Sequence, residues 1–160
     1  MPGKISLLLR NLFFTILHPG LVAGYIPYRI LGNQAAQWRT KPLYAYHYLA
    51  VILFIPGVVV LLNCIFRFAI EGQGTLSPAD PTKKLVVTGL YSYSRNPMYV
   101  GVMMILIGEA IFFQSGDLWI YLLCVFLLFN LFVMRIEEPR LQRDFDQDYY
   151  QYCQKVRRWV

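Results

Sequence analysis

Charge is what this 160-residue chain has least of: 15% of its residues are charged, against 57% hydrophobic. An average soluble domain is about 25% charged and roughly 45–50% apolar. Fifteen basic and nine acidic side chains are too few to cover a soluble protein of this size. Cysteine is sparse and odd in number, at three, which excludes a disulfide-stapled secreted module. The two histidines, His18 and His47, are isolated from each other and from the cysteines. The sequence therefore offers no zinc pattern and no metal site, and it has no P-loop and no Ser-His-Asp arrangement. Internal repeats and low-complexity tracts are missing too. So much apolar residue excludes intrinsic disorder. What is left is an integral membrane protein, built as one domain over residues 1–160.

The gaps between charges locate the apolar segments. Asn11–Tyr28, Pro42–Phe66 and Leu118–Met134 carry no formal charge, and Met98–Gln114 carries only Glu109. A helix crossing the hydrocarbon core needs about 20 mostly apolar residues. The sequence thus predicts an all-α protein with four transmembrane helices, at 8–31, 44–69, 98–114 and 117–136. The short turn Gln114-Ser115-Gly116-Asp117 makes the last two a tight antiparallel hairpin. Pro19-Gly20 and Pro27 should kink the first helix, because proline removes a backbone donor and crowds the preceding turn. That segment is too long, and followed by too much membrane, for a signal peptide.

Four spans put both termini on the side of the long 70–97 connection. Twelve Lys and Arg then lie on that side and three, Arg29, Arg39 and Lys41, on the other. By the positive-inside rule the termini and the connection face the cytoplasm. The net charge of +6 reads as topology and contact with anionic lipid, not as nucleic-acid binding. Glu109 sits within a span, where an acid is a functional candidate by default. A hydrogen bond to a polar group such as Asn63 or Asn130, or a place near the far interface, accounts for it equally well.

The connection and the tail hold the remaining information. Residues 71–82 are rich in turn formers, Leu85–Thr88 reads as a short extended piece, and Asn96-Pro97 suits a helix start. That start presents unpaired backbone N–H groups to an anion, or it simply begins a membrane helix. After Glu137-Glu138-Pro139, the residues Leu141, Phe145, Tyr149, Tyr152, Val156 and Trp159 recur at helical spacing. This predicts an amphipathic helix over 137–157, lying on the membrane surface or closing over a site in the connection. Two adjacent acids at the bilayer boundary call for a nearby cation, with Arg95, Arg135 or a ligand as candidates.

Taken in order, Gly89-Leu90-Tyr91, Arg95-Asn96-Pro97-Met98-Tyr99, Glu137-Glu138-Pro139-Arg140-Leu141, Phe145, Tyr149, Tyr152 and Val156-Arg157-Arg158-Trp159 form a pattern. It resembles the isoprenylcysteine carboxyl methyltransferase and phospholipid methyltransferase superfamily, in its small prokaryotic form. The resemblance covers about the last 90 residues. It implies a membrane-embedded enzyme that uses S-adenosylmethionine to methylate a lipophilic acceptor, an isoprenoid carboxylate or a phospholipid-type head group. It implies cofactor contacts at Leu85, Val86, Tyr91, Asn96, Pro97, Met98, Tyr99 and Glu137. Three positions depart from the isoprenylcysteine branch: Asn96 stands for a histidine, Asp146 for a usual glycine, and Val133 for the arginine that meets the prenyl substrate. The last points away from a prenylcysteine acceptor.

The chemistry of these residue types fits that implication. Glu137 suits an ammonium, Arg95 and the helix start suit a carboxylate, and Tyr91, Tyr93 or Tyr99 suit adenine or a sulfonium. Arg95 and Glu138 are the catalytic candidates, Glu138 as the acceptor of a proton from an amine. Partners are membrane lipid and a lipophilic substrate. An NADPH-dependent reductase of the sterol-reductase type, or a non-enzymatic membrane adaptor, is the competing reading.

Overall fold

The computed structural model describes residues 18–38, 42–70 and 84–160. The expected start of the first helix, residues 8–17, and the turn-rich stretch 71–82 lie outside the described residues. All secondary structure among the described residues is helical. In chain order the α-helices are α1 (Ile26–Leu31), α2 (Gln34–Gln37), α3 (Ala45–Ile70), α4 (Pro97–Phe113), α5 (Gly116–Phe132) and α6 (Glu138–Lys155).

Two runs, Ala45–Arg67 and Gly116–Lys155, are long and apolar enough to cross a membrane, and Pro97–Phe113 is a shorter apolar helix. At 1.5 Å per residue a 17-residue helix spans about 25 Å, slightly less than a typical hydrocarbon core. Large apolar side chains on the outside of these helices are open: Ile52 is 65% exposed, Phe66 66%, Ile120 64% and Leu128 62%. A water-soluble protein seldom displays so continuous an apolar surface, whereas a bilayer covers it. The expected hairpin is present. Gln114, in the left-handed region, and Ser115 alone separate α4 from α5, and Ser115 Oγ caps Leu118 N at 3.4 Å.

Small residues set the central seam. Ala50, Gly57 and Cys64 of α3 recur every seven residues, as do Gly101 and Gly108 of α4. A Cβ on Gly57 would lie 2.9 Å from Gly101 O, and one on Gly108 would lie 3.0 Å from Ala50 O. The two backbones approach where side chains would keep them apart. Between apolar helices in lipid, such close packing replaces the hydrophobic drive.

Two wide π turns interrupt the helices, at Leu21–Tyr25 and Val133–Glu137. Each ends two residues before a proline, Pro27 or Pro139. In the first, Ile26 N bonds Leu21 O, and the next donor in that register would be residue 27. Proline has no N–H to give, so Val22 O takes its hydrogen bond from Tyr121 Oη of α5 instead, at 2.8 Å. The expected kink at Pro19-Gly20 and Pro27 is therefore a widened turn that ties the first helix to α5.

Glu109 does not bond Asn63 or Asn130. Asn63 Oδ1 accepts from Arg67 Nε at 3.2 Å, and Asn130 Nδ2 donates to Phe126 O at 2.8 Å. Glu109 Oε2 is buried without a hydrogen-bond partner among the described residues. It lies in the last two turns of α4, at the hairpin end.

Candidate active site

The site forms at the start of α4, where the connection and the tail meet. Arg67 at the end of α3 anchors the connection, with Nη1 on Thr88 Oγ1 at 3.0 Å. Its guanidinium lies against Gly89, where a Cβ would collide with it. Gly89 also has φ +60°, a conformation that only glycine adopts freely. A 3-10 turn, Gly89–Ser92, follows and buries Tyr91. The Tyr91 hydroxyl is hydrogen-bonded to Cys64 of α3, and its carbonyl accepts from Tyr152 Oη of α6 at 2.5 Å. Burial holds the Tyr91 phenol well above its usual pKa, so it stays neutral. Tyr91 thus joins three elements through one residue.

Asn96 occupies the predicted cap position of α4, but its side chain does not cap. Its Nδ2 donates instead to Arg158 O at 2.9 Å. The tail accounts for this. Val156 leaves α6 in extended geometry, and Ser94 pairs with Arg157 as a parallel bridge. Arg95 N then bonds Arg157 O at 2.9 Å.

The two acids after α5 diverge. Glu138 pairs with Arg95 at 3.1 Å and with Arg158 at 2.8 Å. The cation called for at the bilayer boundary is therefore Arg95 together with Arg158, not Arg135. Glu137 points the other way and accepts from Tyr99 Oη at 2.8 Å. Burial pushes the Glu137 carboxyl above its ordinary pKa, and Glu138 beside it adds to the rise. Tyr99 and the more distant Arg140 offset this only in part. Arg95 carries the opposite deficit: its Nε is buried with no partner among the described residues.

These groups face two adjoining cavities. The larger, about 700 Å³, is mostly apolar and runs from Tyr91, Arg95 and Glu137 between the first helix, at Val22, and α5, at Phe129 and Phe132. The smaller, about 50 Å³, lies under α6 between Leu85, Val86 and Glu138. Tyr91, Arg95, Asn96 and Glu137 line both. Of the other expected contacts, Met98 and Tyr99 line the larger, Leu85 and Val86 the smaller, and Pro97 is buried in the first turn of α4 facing neither. Tyr93 is 78% exposed and lines neither cavity.

The apolar face of α6 is used in closing over the connection. Tyr149, Tyr152 and Val156 are buried, with Leu85, Leu141 and Phe145 packed on them. Asp146 breaks this helix with φ +38° and ψ −109°. That is the position where the resemblance calls for glycine, and the backbone explains why. Sequence reasoning placed Arg158 in the pattern without giving it a role, and it did not single out Cys153, whose Sγ accepts from Arg95 Nη1 at 2.7 Å. Trp159 was placed on the apolar face, but the contact of its ring with Tyr99 and Phe126 was not foreseen. The Arg157-Arg158-Trp159 run was the available signal for two of them. No group of His, Cys, Asp and Glu suited to a metal occurs among the described residues.

Comparison with known proteins adds three findings. A family model described as phospholipid methyltransferase matches residues 45–148. A Haemophilus influenzae protein, described as an uncharacterized protein, is 32% identical over 63 residues, which is 39% of this chain and all of that protein. No solved structure matches.

Proposed function

The chain belongs to the phospholipid methyltransferase family, a family of membrane methyltransferases, and from that premise we propose that it transfers a methyl group from S-adenosylmethionine to a lipophilic acceptor. The observation that carries this reading is a pair of complementary deficits on one cavity wall. Among the described residues Arg95 Nε is a buried donor without an acceptor, and Glu137 is a partly buried carboxylate that accepts from a neutral phenol. Buried polar groups are almost always satisfied. An amino-acid zwitterion supplies what both need, an oxygen anion for Arg95 and an ammonium for Glu137.

When bound, S-adenosylmethionine supplies an electrophilic methyl group on sulfur. The rest falls to the chain. Arg95 and the start of α4 hold the carboxylate, and Glu137 holds the ammonium. Tyr91 and Tyr99 offer ring faces to the adenine or the sulfonium. The acceptor occupies the larger cavity, entering from the bilayer between the first helix and α5, and the apolar walls exclude water from the reacting atoms. Glu138 is clasped by two guanidiniums, so its carboxylate oxygens are engaged rather than open to a proton released by an amine acceptor. Its stronger role is to orient Arg95. An isoprenoid carboxylate or a phospholipid-type head group is the acceptor class. We further propose that the chain crosses the membrane four times, with the site and the termini on the cytoplasmic side, in line with the twelve-to-three division of basic residues.

The test is calorimetric binding of S-adenosylhomocysteine to detergent-purified protein, with NADPH in parallel. Saturable binding is expected, weakened at least about thirtyfold by Glu137→Ala. Folded protein that ignores S-adenosylhomocysteine and binds NADPH would instead be a reductase, and protein that binds neither an adaptor.

A further inference from the structure

The tail residues 156–159 brace the connection from behind this site, and Arg158 is the pivot of that brace. The Arg158 carbonyl accepts from Asn96 Nδ2 at 2.9 Å and from Ser94 Oγ at 3.4 Å. Together with the Arg95–Arg157 backbone bond this fixes the Arg158 main chain against the connection. The side chain then reaches back to the start of α6. Its Nε meets Glu138 Oε1 at 2.9 Å, and its Nη2 meets Glu138 Oε2 at 2.8 Å. A guanidinium fork with two parallel bonds fixes both the position and the plane of a carboxylate. Glu138 Oε1 also pairs with Arg95 Nη1, at 3.1 Å.

The consequence falls on Arg95. With the Glu138 plane set from the far side, Arg95 Nη1 has one seat, between Glu138 and Cys153 Sγ. That seat leaves Nε as a donor with no partner among the described residues. Arg158 lines neither cavity. A single-point cation in its place would neutralise Glu138 and leave the carboxylate free to rotate.

We infer that Arg158 is a positioning residue: its bidentate grip on Glu138 aims Arg95 at the cofactor's carboxylate and so sets affinity for the amino-acid end of the cofactor. This rests on the functional reading above. It goes beyond it in assigning a role to a residue outside both cavities.

The experiment uses the full chain in detergent and two ligands. One is S-adenosylhomocysteine. The other is 5′-methylthioadenosine, which keeps the adenine, ribose and thioether and lacks the amino-acid end. Arg158→Lys keeps the charge and loses the fork. The expected result is about a tenfold loss of affinity for S-adenosylhomocysteine, with affinity for 5′-methylthioadenosine unchanged. In an Arg95→Ala background, Arg158→Lys should add no further loss, because the path to the ligand is already cut. That second arm needs S-adenosylhomocysteine alone. Equal weakening of both ligands would show a brace lost, not an aim, and overturns the inference. So does an unchanged affinity for S-adenosylhomocysteine, or a full extra loss in the Arg95→Ala background. Wild-type protein that binds neither ligand overturns the functional reading and this inference with it.

Discussion

The two ends of α4 are held by different forces. At its start, side chains bond distant backbone: Asn96 to Arg158 O, Tyr152 to Tyr91 O, with Glu138 between two arginines. At its finish, rings pack on rings. Phe112 meets Trp38 at 5.6 Å, His47 at 4.9 Å and Phe113 at 5.1 Å, and Tyr46 stacks on His47 at 4.1 Å. Aromatic side chains at a membrane–water boundary anchor a helix there. The ring end leaves little room for a ligand, and both cavities open at the hydrogen-bonded end. Hydrogen bonds specify positions that ring contacts leave loose, and a transfer site needs specified positions. Glu109 is a discord, with one oxygen near the ring end unpartnered among the described residues.

Three substitutions sharpen or break this division. Phe112→Ala should destabilise the fold by about 3 kcal/mol, the low end for a phenylalanine because the ring is half-buried. Binding of S-adenosylhomocysteine to the folded fraction should not change. A large loss of affinity would mean that the two ends are not separable. Glu137→Gln should act in the reverse sense, costing about 2 kcal/mol of ligand affinity and none of the stability at low pH, where the wild-type acid is neutral too. Its pH dependence follows from sign. Burial raises the carboxyl pKa in the fold, so the ligand-free protein gains stability from the neutral acid. That gain is full below the unfolded value of about 4.3 and is lost as pH rises through the folded value. A bound ammonium prefers the ionised form, so wild-type affinity should rise over the same range. Thermal melts and titrations across pH should show both slopes, and Glu137→Gln should flatten them. The smallest effect is at Asp146. Glycine tolerates its positive φ, so Asp146→Gly should stabilise by about 1 kcal/mol in a denaturation series, with affinity intact.

Much of the frame was legible because it is local. Charge gaps located the apolar helices, and the Gln114–Gly116 turn and the Asn96-Pro97 start stand within a residue of their expected places. The helical spacing of Tyr149, Tyr152 and Val156 marked a face that is indeed buried. What stayed hidden depends on partners far along the chain. Asn96 has the right type for a cap, yet a carbonyl 62 residues away takes its amide. Arg158 looks like one more basic residue in a basic tail until Glu138 is seen across from it. The seven-residue spacing of Ala50 with Gly57 and of Gly101 with Gly108 was open to inspection, but small residues carry meaning only once two helices are known to touch. The π turns need both a proline and a hydroxyl on a neighbouring helix, Tyr121 in the first case.

The parallel pairing of Ser94 with Arg157 has a consequence for how the molecule is made. A growing chain emerges in order, so the described apolar helices are finished before residues 156–158 can brace the connection. A ribosomal product halted at residue 155 would hold α3, α4, α5 and α6 and lack the extended segment that receives Asn96 and Arg95. Completion of the apolar helices and bracing of the connection are thus separate events in time, and the second waits on residues 156–158.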